Sequence, residues 1–281
     1  MLTIIERYHT MREMFEEYDS NKNRRLPGIV TAATYNRRIR AIVFAVNDGR
    51  IFYMNLAGEE ICICELNKSL SSVEVDWNDR LIFTDKYSVI RSNDDGSGIH
   101  ILVDEYQGKA FGQIGAASIH SNGMIYFPDC REDGEAAIYF ANPIGMKAVC
   151  AGTDTSFPTA VRHSADNNFL YIAESEQGFI TKFDILGDGT LKYKRIYCFL
   201  DPEHIQAVSN MLVDERDNLF VITNAGIHVY APGGMLLGVI ATEHACTAAC
   251  FGGDKLKTLY IFCGDQLYIL ERKDSGAGKC S

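Results

Sequence analysis

Short apolar runs, each closed by a polar residue or a glycine, recur along the chain. Leu81-Ile-Phe-Thr-Asp85, Ile125-Tyr-Phe-Pro-Asp129, Leu170-Tyr-Ile-Ala-Glu174, Leu219-Phe-Val-Ile-Thr-Asn224 and Leu259-Tyr-Ile-Phe-Cys-Gly264 share this form. Ala41-Ile-Val-Phe-Ala-Val46 repeats it without the polar end. Their β-branched and aromatic content suits strands rather than helices. They recur at intervals of roughly 40–50 residues, the length of a four-stranded unit.

Other strands fall into register around these anchors. Asn78-Asp79, Asn122-Gly123, Asn167-Asn168 and Asp217-Asn218 precede four of them and have the chemistry of tight hairpins. Before each turn lies an inner-strand candidate: Val73-Glu-Val-Asp76, Ala116-Ala-Ser-Ile119, Ala160-Val-Arg-His163 and Met211-Leu-Val-Asp214, with Ala248-Ala-Cys-Phe251 in the last unit. Third strands (Ile180-Thr-Lys-Phe183, Ile227-His-Val-Tyr230) and fourth strands (Ile99-His-Ile-Leu102, Leu237-Gly-Val-Ile240) follow. Six such units predict an all-β, six-bladed β-propeller filling 1–281 as a single domain, with blades over 26–272 and a flexible tail at 273–281. The last unit lacks a fourth strand. Leu2-Thr-Ile-Ile-Glu6 is the spare candidate, so 1–25 is expected to hold the closing strand. The same stretch is expected to hold a short helix, because Tyr8, Met11, Met14, Phe15 and Tyr18 form an apolar stripe at helical spacing. That stripe is expected to pack on the propeller, with a lid or dimer contact as the alternative.

Composition narrows the function classes. The 281 residues are 47% hydrophobic and 23% charged, with a net charge of −10. Without a Lys/Arg block, such a chain has no footprint for nucleic acid or an anionic membrane surface. No apolar run approaches the ~20 residues of a membrane span. A charge at Glu6 comes too early for a signal peptide. The nine cysteines lie mostly in strand-like segments with no C-x-x-C pair, so buried thiols in a reducing cytoplasm are expected.

The stretch Asn210–Gly238 resembles the gluconolactonase, regucalcin and luciferin-regenerating enzyme family. So do Phe251-Gly-Gly-Asp254, Lys257-Thr-Leu-Tyr260, Asp104-Glu-Tyr-Gln-Gly-Lys109 and Phe183-Asp-Ile-Leu-Gly-Asp-Gly-Thr190. The likeness runs from about Leu26 to Leu270. It implies a six-bladed propeller holding one divalent cation at the top of its channel, and hydrolysis of lactones or related small esters. The family's ligand positions carry over poorly. Its Glu before Gly-Pro falls on Pro27, its mid-chain Asn on Thr159, its later Asp on Ser209, and its third-blade Asn-Asp pair on Gly115 and Ala116. A hard cation needs convergent anionic or carbonyl oxygens, and this set supplies no carboxylate. The resemblance without its ligands implies no metal and no other cofactor.

Two sets of loops are expected at the mouth of the channel. One opens the inner strands and contributes Pro27, Ser71, Gln113, Thr159, Ser209 and Thr247. The other follows the anchors and contributes Asp85, Lys86, Asp129, Cys130, Arg131, Glu174, Asn224 and Asp265. The first set is small and mostly neutral, which suits a small organic substrate better than an ion. His204 and His244 lie just ahead of inner strands and are candidate general bases, with Ser209 the candidate hydroxyl partner. His244 is placed to pair with Glu243 or Cys246, and Arg131 to lower the pKa of Cys130. His120, His163 and His228 lie within or beside strands and read as structural. Asp129, Glu174 and Asn224 are expected to tie loops through backbone amides. The expected chemistry is a metal-independent cyclisation, isomerisation or ring opening. The alternatives are a lactonase with relocated ligands (Asp85, Asp129 or Glu174) and a non-catalytic scaffold.

Overall fold

The computed structural model describes all residues except 7–10, 12, 13, 17, 143, 145, 202–206 and 274–281. Six antiparallel sheets of four strands or more make the six blades, in chain order. Blade 1 holds Val30–Asn36, Ala41–Val46, Arg50–Asn55 and Glu60–Glu65, and blade 2 runs from Ser72–Val75 to His100–Val103. Blade 3 begins at Ser118–Ile119, blade 4 at Pro158–His163, blade 5 at Val208–Val213 and blade 6 at Ala248–Gly252. The anchor runs are the second strands, buried along nearly their whole length because a neighbouring blade covers each face. The hairpins between first and second strands are the Asn/Asp/Gly turns. Asp79, Asn167 and Asp217 adopt φ near +61° and Gly123 adopts +87°, a region those residue types tolerate.

Six buried apolar clusters hold the ring, each lying mainly between two adjacent blades. Blade 6 meets blade 1 through Phe262 and Phe44, whose ring centroids lie 6.0 Å apart.

Closure differs from the expectation. Leu2–Glu6 does not complete blade 6. It pairs with Leu236–Thr242 as a fifth strand of blade 5, while the two-residue strand Arg24–Arg25 pairs with Gln266–Glu271 and supplies the outer strand of blade 6. Leu2 is buried there in the core between blades 5 and 6, and the Met1 amino group reaches Glu243 at 2.6 Å. The expected helix lies partly outside the described residues. Its stripe faces inward: Met11, Met14 and Phe15 are buried in the core between blades 5 and 6, and the Phe15 ring meets Phe220 edge-on. Those three side chains are therefore not a surface for a second copy. The expected flexible tail beyond residue 273 also lies outside the described residues.

Candidate functional site

First strands start at one end of the channel, here the mouth, and finish at the other, the far end. At the mouth, three of them carry a β-bulge. The pairing register slips between Val30 and Ala32, between Pro158 and Ala160, and between Val208 and Asn210. The residue left over in each case is a hydroxyl: Thr31, Thr159 and Ser209. A bulge re-aims the side chain of the extra residue, and all three line one cavity of about 560 Å³. Ser71, Gln113 and Cys130 line it as well, beside Gly115 and Ala116.

Four of the six residues expected to open the inner strands therefore meet, and Lys86 and Cys130 of the second set join them. Ser71 Oγ donates to the Ile114 carbonyl, Thr159 Oγ1 lies 2.7 Å from Ser175 Oγ, and Ser209 Oγ donates to the Ile222 carbonyl. Pro27 does not line this cavity; it is exposed, and its carbonyl accepts from Arg50. Thr31 takes that place in blade 1. The signal that marks it is the recurring small-residue step at the strand start, Val30-Thr31-Ala32, Pro158-Thr159-Ala160 and Val208-Ser209-Asn210. Its Oγ1 is buried with no hydrogen-bond partner among the described residues. Thr247 is also absent from the lining, its hydroxyl bonded to the Phe262 carbonyl.

The carboxylates around the mouth hold loops. Asp129 is buried and accepts the amides of Gly112 and Gln113, both at 2.9 Å. Glu174 accepts the Ser156 amide and the Thr181 hydroxyl and pairs with Lys194 at 3.0 Å. Asn224 accepts the Ala207 amide. Asp85 accepts the amides of Tyr87 and Ser88 and pairs with Lys68 at 2.6 Å. Burial pushes the Asp85 carboxyl up, but the Lys68 ammonium and these hydrogen bonds outweigh it and hold it below its usual range. Arg131 spans Asp129 and Glu135 rather than lining the cavity. It does not activate Cys130, whose thiol is pushed up by burial and by the Asp129 charge.

Catalytic geometry is not assembled from the expected set. His244 is exposed, and its carbonyl accepts from Thr242 Oγ1. Glu243 pairs with the Met1 amino group instead, and Cys246 lies 3.1 Å from both Thr242 Oγ1 and Cys263 Sγ. His204 lies outside the described residues. The one charged side chain on the mouth cavity is Lys86, exposed and without an ion pair among the described residues. In sequence it belongs to the loop after the second anchor.

Gly115, where the resemblance implies a third-blade ligand, has no room for a side chain. A Cβ at this position would stand 2.0 Å from the Thr159 carbonyl oxygen, because Ala116 and Ala160 form a parallel bridge joining blades 3 and 4. No group of three or more His, Cys, Asp or Glu side chains fit to hold a metal occurs among the described residues. The mouth lining, hydroxyls and an ammonium, does not fit a hard divalent cation.

Residues 32–264 match the family model described as the SMP-30/gluconolactonase/LRE-like region. The chain belongs to this family. A gluconolactonase from Zymomonas mobilis is 24% identical over 200 residues, which cover 63% of this chain and 55% of that protein, so the chain spans about half the length of this curated relative. Among solved structures, a gluconolactonase from Xanthomonas campestris superposes with a TM-score of 0.83 at 20% identity, over 96% of this chain and 95% of that one. The regucalcin of Agrobacterium tumefaciens, a calcium-binding protein, gives 0.74 at 10% identity over 87% and 91%. These likenesses show the shared propeller. Thr159, Ser209 and Gly115, the positions where the resemblance implies ligands, line the mouth cavity. No helix among the described residues is long and apolar enough to cross a membrane.

Proposed function

We propose that the mouth cavity binds a small organic molecule of the lactone or ester class and promotes a metal-independent step, ring opening foremost. Family membership supports a lactonase-type or related activity. The observation that carries the reading is the convergence of Thr159, Ser209, Gly115 and Ala116, with Thr31 and Gln113, on a cavity of about 560 Å³ whose charge is a lysine. A cavity of this size falls in the range used for small ligands. Lys86 supplies positive charge beside a bound carbonyl, as a fixed electrophile does for developing oxyanion charge. The Gln113 amide and the Thr31 hydroxyl orient the ligand, since both are without side-chain partners among the described residues. In ring opening, water adds to the carbonyl carbon, the ring C–O bond breaks, and the departing oxygen takes a proton from that water.

A second reading is a binding propeller without catalysis. It is favoured by one observation: among the described residues, the mouth cavity has neither a histidine nor a carboxylate in its lining. Chelator-stripped protein assayed on a lactone panel separates the readings. Turnover that survives chelation and falls at least tenfold in Lys86→Met supports the first. Saturable binding without turnover supports the second. Turnover that appears only on adding Ca²⁺, Zn²⁺ or Mn²⁺ overturns both.

A further inference from the structure

The far end of the channel holds a second cavity, of about 350 Å³, that shares Tyr35, Arg37 and Phe251 with a vestibule of about 800 Å³. Its wall is built from the finishing ends of first strands, away from the mouth. Glu74 and Arg162 face each other there at 2.8 Å, and the Arg162 Nε also donates to the Met211 carbonyl. Ser118 and His163 lie alongside on the same wall.

His163 is 5% exposed, and its Nε2 is buried without any hydrogen-bond partner among the described residues. The proton position follows from its neighbours. Ser118 Oγ accepts the His163 backbone amide at 3.3 Å and lies 2.8 Å from Nδ1. The only acceptor described for the Ser118 hydroxyl proton is Nδ1, so the ring carries its own proton on Nε2. The ring also stays neutral. Burial pushes its pKa well down, and the nearby His120 and Arg162 push in the same direction. His120 is itself satisfied, bonded at Nε2 to the Asn167 carbonyl and at Nδ1 to the Asn122 amide. Nε2–H of His163 is therefore a buried donor without an acceptor, an arrangement that costs roughly 1–3 kcal/mol unless something fills it.

The same cavity carries a second unused donor group. Arg37 lines both it and the vestibule and makes no ion pair among the described residues. In contrast, the Glu74 carboxylate is already committed to Arg162, and the vestibule cations Arg40 and Arg272 are paired with Asp254 and with Asp214 and Glu215; Lys255 lines the vestibule but not the inner cavity. Donors thus exceed acceptors on this wall, and the excess includes one full positive charge. What is missing is an acidic oxygen.

We propose that the far-end cavity is a binding site for a small organic carboxylate, its oxygens accepting from His163 Nε2–H and from the Arg37 guanidinium. Charge-assisted hydrogen bonds of this kind are the strong ones, and a guanidinium matches a carboxylate fork. The inner volume limits the ligand to a few carbons beyond the carboxyl group. The site is separate from the mouth and independent of the mouth reading.

The test is calorimetric titration of the full chain with acetate, lactate and benzoate, each against its neutral amide and against inorganic phosphate. The expected result is one-to-one binding of at least one carboxylate, no binding of its amide, and at least tenfold weaker binding in Arg37→Ala. Lys86→Met at the mouth should leave that affinity unchanged. In a ¹⁵N-histidine-labelled sample the His163 Nε2–H resonance should move on titration. His163→Phe should abolish binding. That variant alters a buried position, so if it fails to fold, the exposed Arg37→Ala decides between the outcomes. Absence of saturable carboxylate binding overturns the proposal. So does binding unaffected by Arg37→Ala, or lost in Lys86→Met. Phosphate bound more tightly than every carboxylate also overturns it, in favour of an inorganic oxyanion.

Discussion

The two ends of the channel divide the chemistry between them. At the mouth, the side chains facing the cavity are mainly hydroxyls and an amide, the nearby carboxylates are tied to loop amides, and the charge on the cavity is the exposed Lys86. At the far end, a partly buried ion pair and a buried neutral histidine stand on the cavity wall. In a channel lined by first strands, an exposed end tolerates any residue that solvates well. A buried end tolerates polar groups only when they are partnered. The contrast teaches where to look for function: at the mouth in what is neutral where the family is expected to be anionic, and at the far end in the donor that has no partner.

The largest effect should come from breaking the partly buried Glu74–Arg162 pair. Arg162→Ala leaves the Glu74 carboxylate uncompensated and should cost about 3–5 kcal/mol in denaturant unfolding near neutral pH, whereas the double change Glu74→Leu with Arg162→Met should recover most of it. The pH dependence has a definite sign. Burial raises the Glu74 carboxyl above its usual range, although Arg162 acts against it. A raised folded pKa gives a contribution that is complete below the unfolded value and lost as pH rises through the folded one. The Arg162→Ala deficit should therefore shrink toward acid pH and grow as pH rises through and above the raised folded value, measured against Glu74→Gln. A deficit independent of pH would show that the pair is not the controlling charge at this end.

A smaller effect is expected where the mouth is closed by backbone packing. Gly115→Ala places a Cβ against the Thr159 carbonyl and should cost about 1–3 kcal/mol by forcing blades 3 and 4 apart. Unchanged stability would mean that the bridge between Ala116 and Ala160 gives way easily and that the mouth can widen. The smallest effect is the sharpest probe of the mouth. Thr31→Val removes an unpartnered buried hydroxyl at constant shape, so stability should hold within about 0.5 kcal/mol or rise slightly, while mouth-ligand affinity falls. If affinity is untouched, that hydroxyl is not a ligand contact.

Much of the fold was legible in the order of residues. The anchor runs marked the second strands because a strand covered on both faces must be apolar throughout, and the Asn, Asp and Gly turns marked the hairpins because few residues accept positive φ. The site was legible in part. Ser71, Gln113, Cys130, Thr159 and Ser209 were placed at one cavity by counting from the turns. Thr31 was missed in favour of Pro27, four residues earlier, because the first strand of blade 1 opens only at Val30, and that start and its bulge are visible only in the pairing with the next strand. Asp129 ties its loop through the Gly112 and Gln113 amides, as its place after an anchor strand suggested, whereas Arg131, expected to lower the Cys130 pKa, is held by Asp129 and Glu135.

The sequence by itself determined the repeat, the number of blades and the family, because periodicity and side-chain chemistry are local properties. Tertiary structure decided how the ring closes, with Arg24–Arg25 on blade 6 and Leu2–Glu6 on blade 5, since either segment can pair with any exposed edge and burial chooses between them. It also decided the fate of His163. A histidine finishing a first strand reads as structural wherever it occurs. Only when Ser118, 45 residues earlier, takes one ring nitrogen and nothing takes the other does it become a donor waiting for an acceptor.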